Sequence, residues 1–176
     1  DLEELGVDFA LDAIATAPGV TVNQNGAFGG NASVRIRGAS NDQTLVLIDG
    51  VPVNDPTGTG GGYNFAYLDT DTIERIEVLK GPQGTLFGRN TAAGAIQVKT
   101  YEPSTADVEG RLRLRLDNFN QNLAEGMLNL PVTNDFALRF NAIGNSREGT
   151  QANANGRDLL NQEDVSYRVS ALWSFN

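Results

Sequence analysis

With 176 residues and 40% hydrophobic content the chain can bury a core of its own in one or two domains, and its net charge of −9 argues against nucleic acid, whose phosphates need a basic face. It has no Cys, which excludes disulfides and thiolate metal sites, and no His, which removes the commonest general base and metal ligand, so an enzyme is not expected. Of the 13 basic residues only Lys80 and Lys99 are lysines, a bias toward the fixed, multidentate contacts that Arg makes.

The chain opens Asp1-Leu2-Glu3-Glu4, without an initiator Met or a basic-then-apolar leader, and so reads as a processed or excised piece. No apolar run reaches the roughly 18 residues of a membrane-spanning helix. A membrane role would have to come from strands, whose signal per segment is weak.

Asp1 to Val20 is expected to form a short helix, with Leu5, Phe9, Ile14 and Ala17 near helical spacing and Pro18-Gly19 as the stop. Val20 to Asn23 reads as a strand, Gln24 to Ala32 as a loop, and Ser33 to Arg37 as a strand with Val34 and Ile36 opposite Arg35 and Arg37. Thr44 to Ile48 is almost wholly apolar, which predicts a strand covered on both faces. Asp49-Gly50 predicts a two-residue hairpin returning through Val51 to Val53, followed by a Gly-rich loop from Asn54 to Asn64. Ile73, Ile76 and Val78 begin another strand. A Gly-studded connector without helical period then leads to a closing strand, Ala95 to Thr100.

After Glu102-Pro103-Ser104 the pattern changes to four alternating segments of about ten residues, the length a tilted strand needs to cross a bilayer. Leu112, Leu114 and Leu116 oppose Arg111, Arg113, Arg115 and Asp117. Ala124, Gly126, Leu128 and Leu130 oppose Leu123, Glu125, Met127 and Asn129. Phe136, Leu138, Phe140 and Ala142 oppose Arg139 and Asn141, and Val165, Tyr167, Val169, Ala171, Trp173 and Phe175 oppose Ser166, Arg168, Ser170 and Ser174. A barrel wall between lipid and water gives this alternation, and so does a soluble sheet with one wet face. The short turn at Pro131 to Asp135 and the long polar loop at Ser146 to Asp164 favour the barrel, while the short connection near Asn118 to Asn122 fits it less well. Four strands are too few to close a barrel, which takes about eight, so a longer protein is expected.

Two chemical motifs fail on spacing. TGTGGGYN, from Thr57 to Asn64, lacks the Lys-Ser/Thr ending of a phosphate-binding loop, and Asp49, Asp55, Asp69 and Asp71 match no calcium loop. They read as a connecting loop and as turn or capping carboxylates.

The segments SVRIRGASNDQTLVLIDGVPVND, from Ser33, and IERIEVLKGPQGTLFGRNTAAGAIQVKT, from Ile73, stand in an order that resembles the N-terminal plug domain of TonB-dependent outer-membrane transporters. The resemblance covers roughly Leu11 to Pro103. It implies an α+β plug domain over residues 1–103 followed by antiparallel transmembrane β-barrel strands over 104–176, the barrel incomplete in this chain. It further implies a bacterial outer-membrane location and a plug that gates the pore and helps bind a scarce nutrient, such as a ferric siderophore or another iron chelate, cobalamin or a carbohydrate. Arg37 and Lys80 would lock the plug to barrel carboxylates beyond Asn176. Asn25, Phe28, Asn54, Tyr63 and Asn64, on two apical loops, would meet the ligand. The implied partners are outer-membrane lipid and the TonB–ExbB–ExbD energy-coupling complex. The latter would engage a segment not in this chain, since nothing in Asp1 to Asp12 matches the coupling box. No cofactor is implied. The alternative is a soluble β-rich binding or adhesion module.

Overall fold

The computed structural model describes residues 10–25, 31–55, 57, 61–65, 68, 70–117, 121–149 and 161–175. The chain divides into two compact units, Asp1–Tyr101 and Glu102–Asn176.

In the first unit α1 (Ala10–Ala15) is built from good helix formers, and Leu11 and Ile14, three apart, bury one face. Its end tightens through Thr16 N–H to Ala13 O and Ala17 N–H to Ile14 O before Pro18, so the helix stops short of Val20. Leu5 and Phe9 lie outside the described residues. A separate two-stranded antiparallel sheet follows, with β1 (Val20–Gln24) pairing β2 (Ala32–Ile36) so that Val22 faces Val34. Ala32, Val34 and Ile36 are buried and Arg35 is exposed, as the alternation requires.

The main sheet has the order β4-β3-β6-β5, from β3 (Thr44–Ile48), β4 (Val51–Pro52), β5 (Ile73–Lys80) and β6 (Gly94–Thr100). β3 runs parallel to β6, and β5 pairs antiparallel on the far side of β6. The apolar run in β3 serves both faces. Val46 joins the larger core with Ile14, Ile36, Phe65, Ile73, Ile96 and Val98, while Leu45 and Leu47 pack with Ala95 under Leu79 and Phe87. The Asp49-Gly50 hairpin forms as expected, with φ of 49° and 81°, the positive pair that a two-residue turn of this hand demands. The connector after β5 contains one turn of helix that its sequence does not announce, α2 (Gly84–Phe87).

The second unit is an antiparallel meander, β10-β9-β8-β7, of β7 (Glu109–Asp117), β8 (Gln121–Thr133), β9 (Phe136–Arg147) and β10 (Gln162–Trp173). The registers Arg113↔Glu125, Glu125↔Ile143 and Ile143↔Ser166 place one face of every strand in one row. β8 and β9 turn through Asn134-Asp135 alone, while β9 and β10 are joined by the long stretch 148–161.

Candidate functional site

The faces of the second unit are assigned opposite to those of a soluble sheet. Leu112, Leu114, Leu116, Val165, Tyr167 and Val169 are exposed, Leu116 and Tyr167 to 82%. Glu125, Asn129, Arg139 and Asn145, on the other face, are buried, with Glu125 only 6% exposed. Arg113 Nη1 lies 3.2 Å from Glu125 Oε2, across a directly opposed pair of the β7–β8 ladder. A sheet meant for water would hide the leucines and wet the charges. This one presents an apolar surface outward and keeps its ion pair sheltered. Trp173 stacks on Phe175 (5.0 Å between ring centroids) and meets Phe136 edge-on (6.1 Å). The three rings gather at the Asn134-Asp135 end of the sheet.

Arg37 does not continue β2 as its outward residue. It turns out of the strand with φ of 53°, its N–H donating to Gly19 O at 2.7 Å. Its guanidinium swings over the end of β5, with Nη1 3.9 Å from where a Cβ on Gly81 would stand. Arg37 thereby comes beside the residue that follows Lys80. Among the described residues neither side chain has an ion-pair partner. Arg37 thus joins the end of β5 at the residue next to Lys80 in the chain.

The expected ligand contacts fall into different circumstances. Asn25 is exposed at the end of β1, and its N–H donates to Asn31 O at 3.0 Å, closing the mouth of its loop; Phe28 lies outside the described residues. Tyr63 is half-buried against the core, edge-on to Phe65 at 4.9 Å, and burial pushes its hydroxyl pKa up. Asn64 Oδ1 accepts the Ala32 N–H at 2.9 Å and ties the second loop to the start of β2. Asn54 turns its amide inward. Its Oδ1 accepts the Val46 N–H at 2.7 Å, and its Nδ2 donates to Thr44 O at 3.0 Å and Gly61 O at 3.1 Å. Those bonds brace the loop and leave the amide little to offer a ligand.

Asp49 is more than a turn residue. Its carboxylate accepts the Thr100 N–H at 2.8 Å and the Thr100 hydroxyl at 2.7 Å, fastening the end of β6. Asp55 is a turn carboxylate, accepting from Thr57 N–H and hydroxyl. Asp69 and the side chain of Asp71 lie outside the described residues.

A model of the TonB-dependent receptor plug domain matches residues 1–95. The chain belongs to that family. The vitamin B12 transporter BtuB of Vibrio vulnificus is 41% identical over 100 residues, covering 57% of this chain and 16% of the relative. The ferric enterobactin receptor of Pseudomonas aeruginosa is 32% identical over 144 residues, covering 72% of this chain and 19% of the relative. The chain therefore spans less than a fifth of the length of these curated relatives. Among solved structures, the closed form of the ferric-catecholate import receptor Fiu from E. coli K12 aligns with a TM-score of 0.73 at 23% identity, over 98% of this chain and 22% of that one. The ferric yersiniabactin uptake receptor FyuA from Yersinia pestis aligns with a TM-score of 0.70 at 20% identity, over 97% of this chain and 27% of that one. The fold is accordingly that of a TonB-dependent receptor plug with the strands that follow it, and the relatives are transporters and receptors.

Proposed function

We propose that this chain supplies the plug (residues 1–103) and first four barrel strands (104–176) of a TonB-dependent transporter in a bacterial outer membrane. The observation that carries the reading is the exposed apolar face of β7 and β10 backed by the sheltered Arg113–Glu125 pair. A soluble adhesion or binding module would leave that face facing water, at an unfavourable roughly 25 cal/mol per Å².

In this reading the plug occludes the pore and moves when the TonB–ExbB–ExbD complex acts on a segment outside this chain. Its work is binding and conformational change, with no bond made or broken. Arg37 and Lys80 hold it by engaging barrel carboxylates, which the absence of an ion-pair partner among the described residues supports. Asn25, Tyr63 and Asn64 meet the nutrient, an iron chelate, cobalamin or a carbohydrate, with Asn54 bracing their loop from behind. The test is Arg37→Ala in the full-length protein in its native membrane. Entry of large antibiotics should rise; permeability equal to that of the unaltered protein would count against the lock.

A further inference from the structure

Between the last strand of the first unit and the first strand of the second, two side chains fasten the chain at either end of a short passage, Tyr101-Glu102-Pro103. On one end Asp49 holds Thr100 through the two bonds described above. On the other, Asn129 Oδ1 accepts the Ser104 N–H at 2.9 Å, and its Nδ2 donates to Ser104 O and to Asp107 O, each at 2.9 Å. Ser104 Oγ in turn accepts the Ala106 N–H at 3.2 Å, closing the turn between the two tied carbonyls.

We propose that Asn129 is an anchor that stops motion or unfolding arriving through Pro103 before it reaches the β7–β8 ladder. Residues 104–107 belong to no strand, so their backbone groups must find partners elsewhere. An Asn amide offers one acceptor and two donors, and here it serves both the N–H and the C=O of Ser104, as a neighbouring strand would. Asn129 is 0% exposed, so water cannot take over those bonds when they are strained. Its own backbone sits in β8 between Glu109 of β7 and Arg139 of β9, on an inner strand with ladders on both sides. Pro103 has no N–H to donate, so Ser104 supplies the first backbone donor on the entering side of the turn that Asn129 holds. The inference does not depend on which ligand is carried.

Amide hydrogen exchange on the full-length protein in detergent micelles tests it, using Gly94→Ala to unfold the first unit selectively. In Gly94→Ala the Ser104 amide and the β7 amides bonded to β8 should keep the protection of the unaltered chain. Adding Asn129→Ala should speed exchange at Ser104 and in β7 by about tenfold or more, the equivalent of losing one to three hydrogen bonds. Ser104→Pro, which removes the Ser104 N–H bond to Asn129 and the Ser104 hydroxyl's bond to Ala106 without touching β8, should give a smaller rise in the same β7 amides. The anchor is refuted if Ser104 loses protection with the first unit in Gly94→Ala alone. It is equally refuted if β7 exchange in the Gly94→Ala background is indifferent to both added changes.

Discussion

In the first unit Ile14, Ile36, Phe65, Ile73, Ile96 and Val98 point into a shared core, and Arg35 and Glu74 face out. In the second, Leu112, Leu114 and Leu116 face out while Glu125, Asn129 and Arg139 are covered. Both patterns are alternations of apolar and polar residues, yet one buries its apolar face and the other exposes it. The lesson is that periodicity fixes which residues share a face. The sense of burial, which decides the environment, comes from what the polar face bonds to.

The strongest break in this contrast lies at Gly94, with φ of 152°. A Cβ there would collide with the Leu79 carbonyl oxygen, part of the β5–β6 ladder, and crowd Ile36 Cδ1 at 3.1 Å. Gly94→Ala should destabilise the first unit by more than about 3 kcal/mol, seen as lost amide protection in β6 with β8 and β9 unaffected. Next comes Leu112→Arg. On a lipid-facing wall it should cost about 2–4 kcal/mol in the full-length protein folded into vesicles. A change within about 0.5 kcal/mol is what an ordinary wetted surface would give, and would remove the contrast. Asp49→Gly keeps the left-handed turn but deletes both bonds to Thr100, and should lower the denaturant stability of the first unit by about 2 kcal/mol. The smallest effect belongs to Tyr63. Because burial raises its folded pKa above the ordinary value of about 10, the unfolded chain ionises first. Its contribution is therefore intact below about pH 10 and fades as the pH rises through that value toward the folded one. Tyr63→Phe should flatten this part of the stability profile.

Much of the fold was legible because it is local. Asp49-Gly50 names its own turn, Thr44–Ile48 announces a strand covered on both faces, and the leucines of β7 declare a face every second residue. Side-chain bonds to distant backbone were not legible. Asp49 reaches Thr100 across 51 positions and Asn129 reaches Ser104 across 25, and no spacing rule marks either. Asn54 looked like a loop tip suited to a ligand because its partners, Val46 and Thr44, lie on a strand it meets only after the hairpin folds back. Arg37 fitted the strand alternation, but the following Gly38, at φ 75°, extends a turn that begins at Arg37 itself. The approach of Arg37 to the Gly81 corner was not legible, since the two lie on segments that only the fold brings together.

The parallel pairing of β3 with β6 has a consequence for how the molecule comes into being. Thr44 finds its neighbour in Gly94 and Ile48 in Val98, with α1, both strands of the small sheet and β5 already made before either partner exists. A ribosome delivering the chain from its N-terminus therefore releases Val46 and Leu47 long before anything can cover one side of them. Such distant pairing closes slowly and leaves a sticky strand exposed meanwhile. A nascent chain ending before Gly94 should accordingly be a client for holding chaperones, and one reaching Thr100 should be released from them.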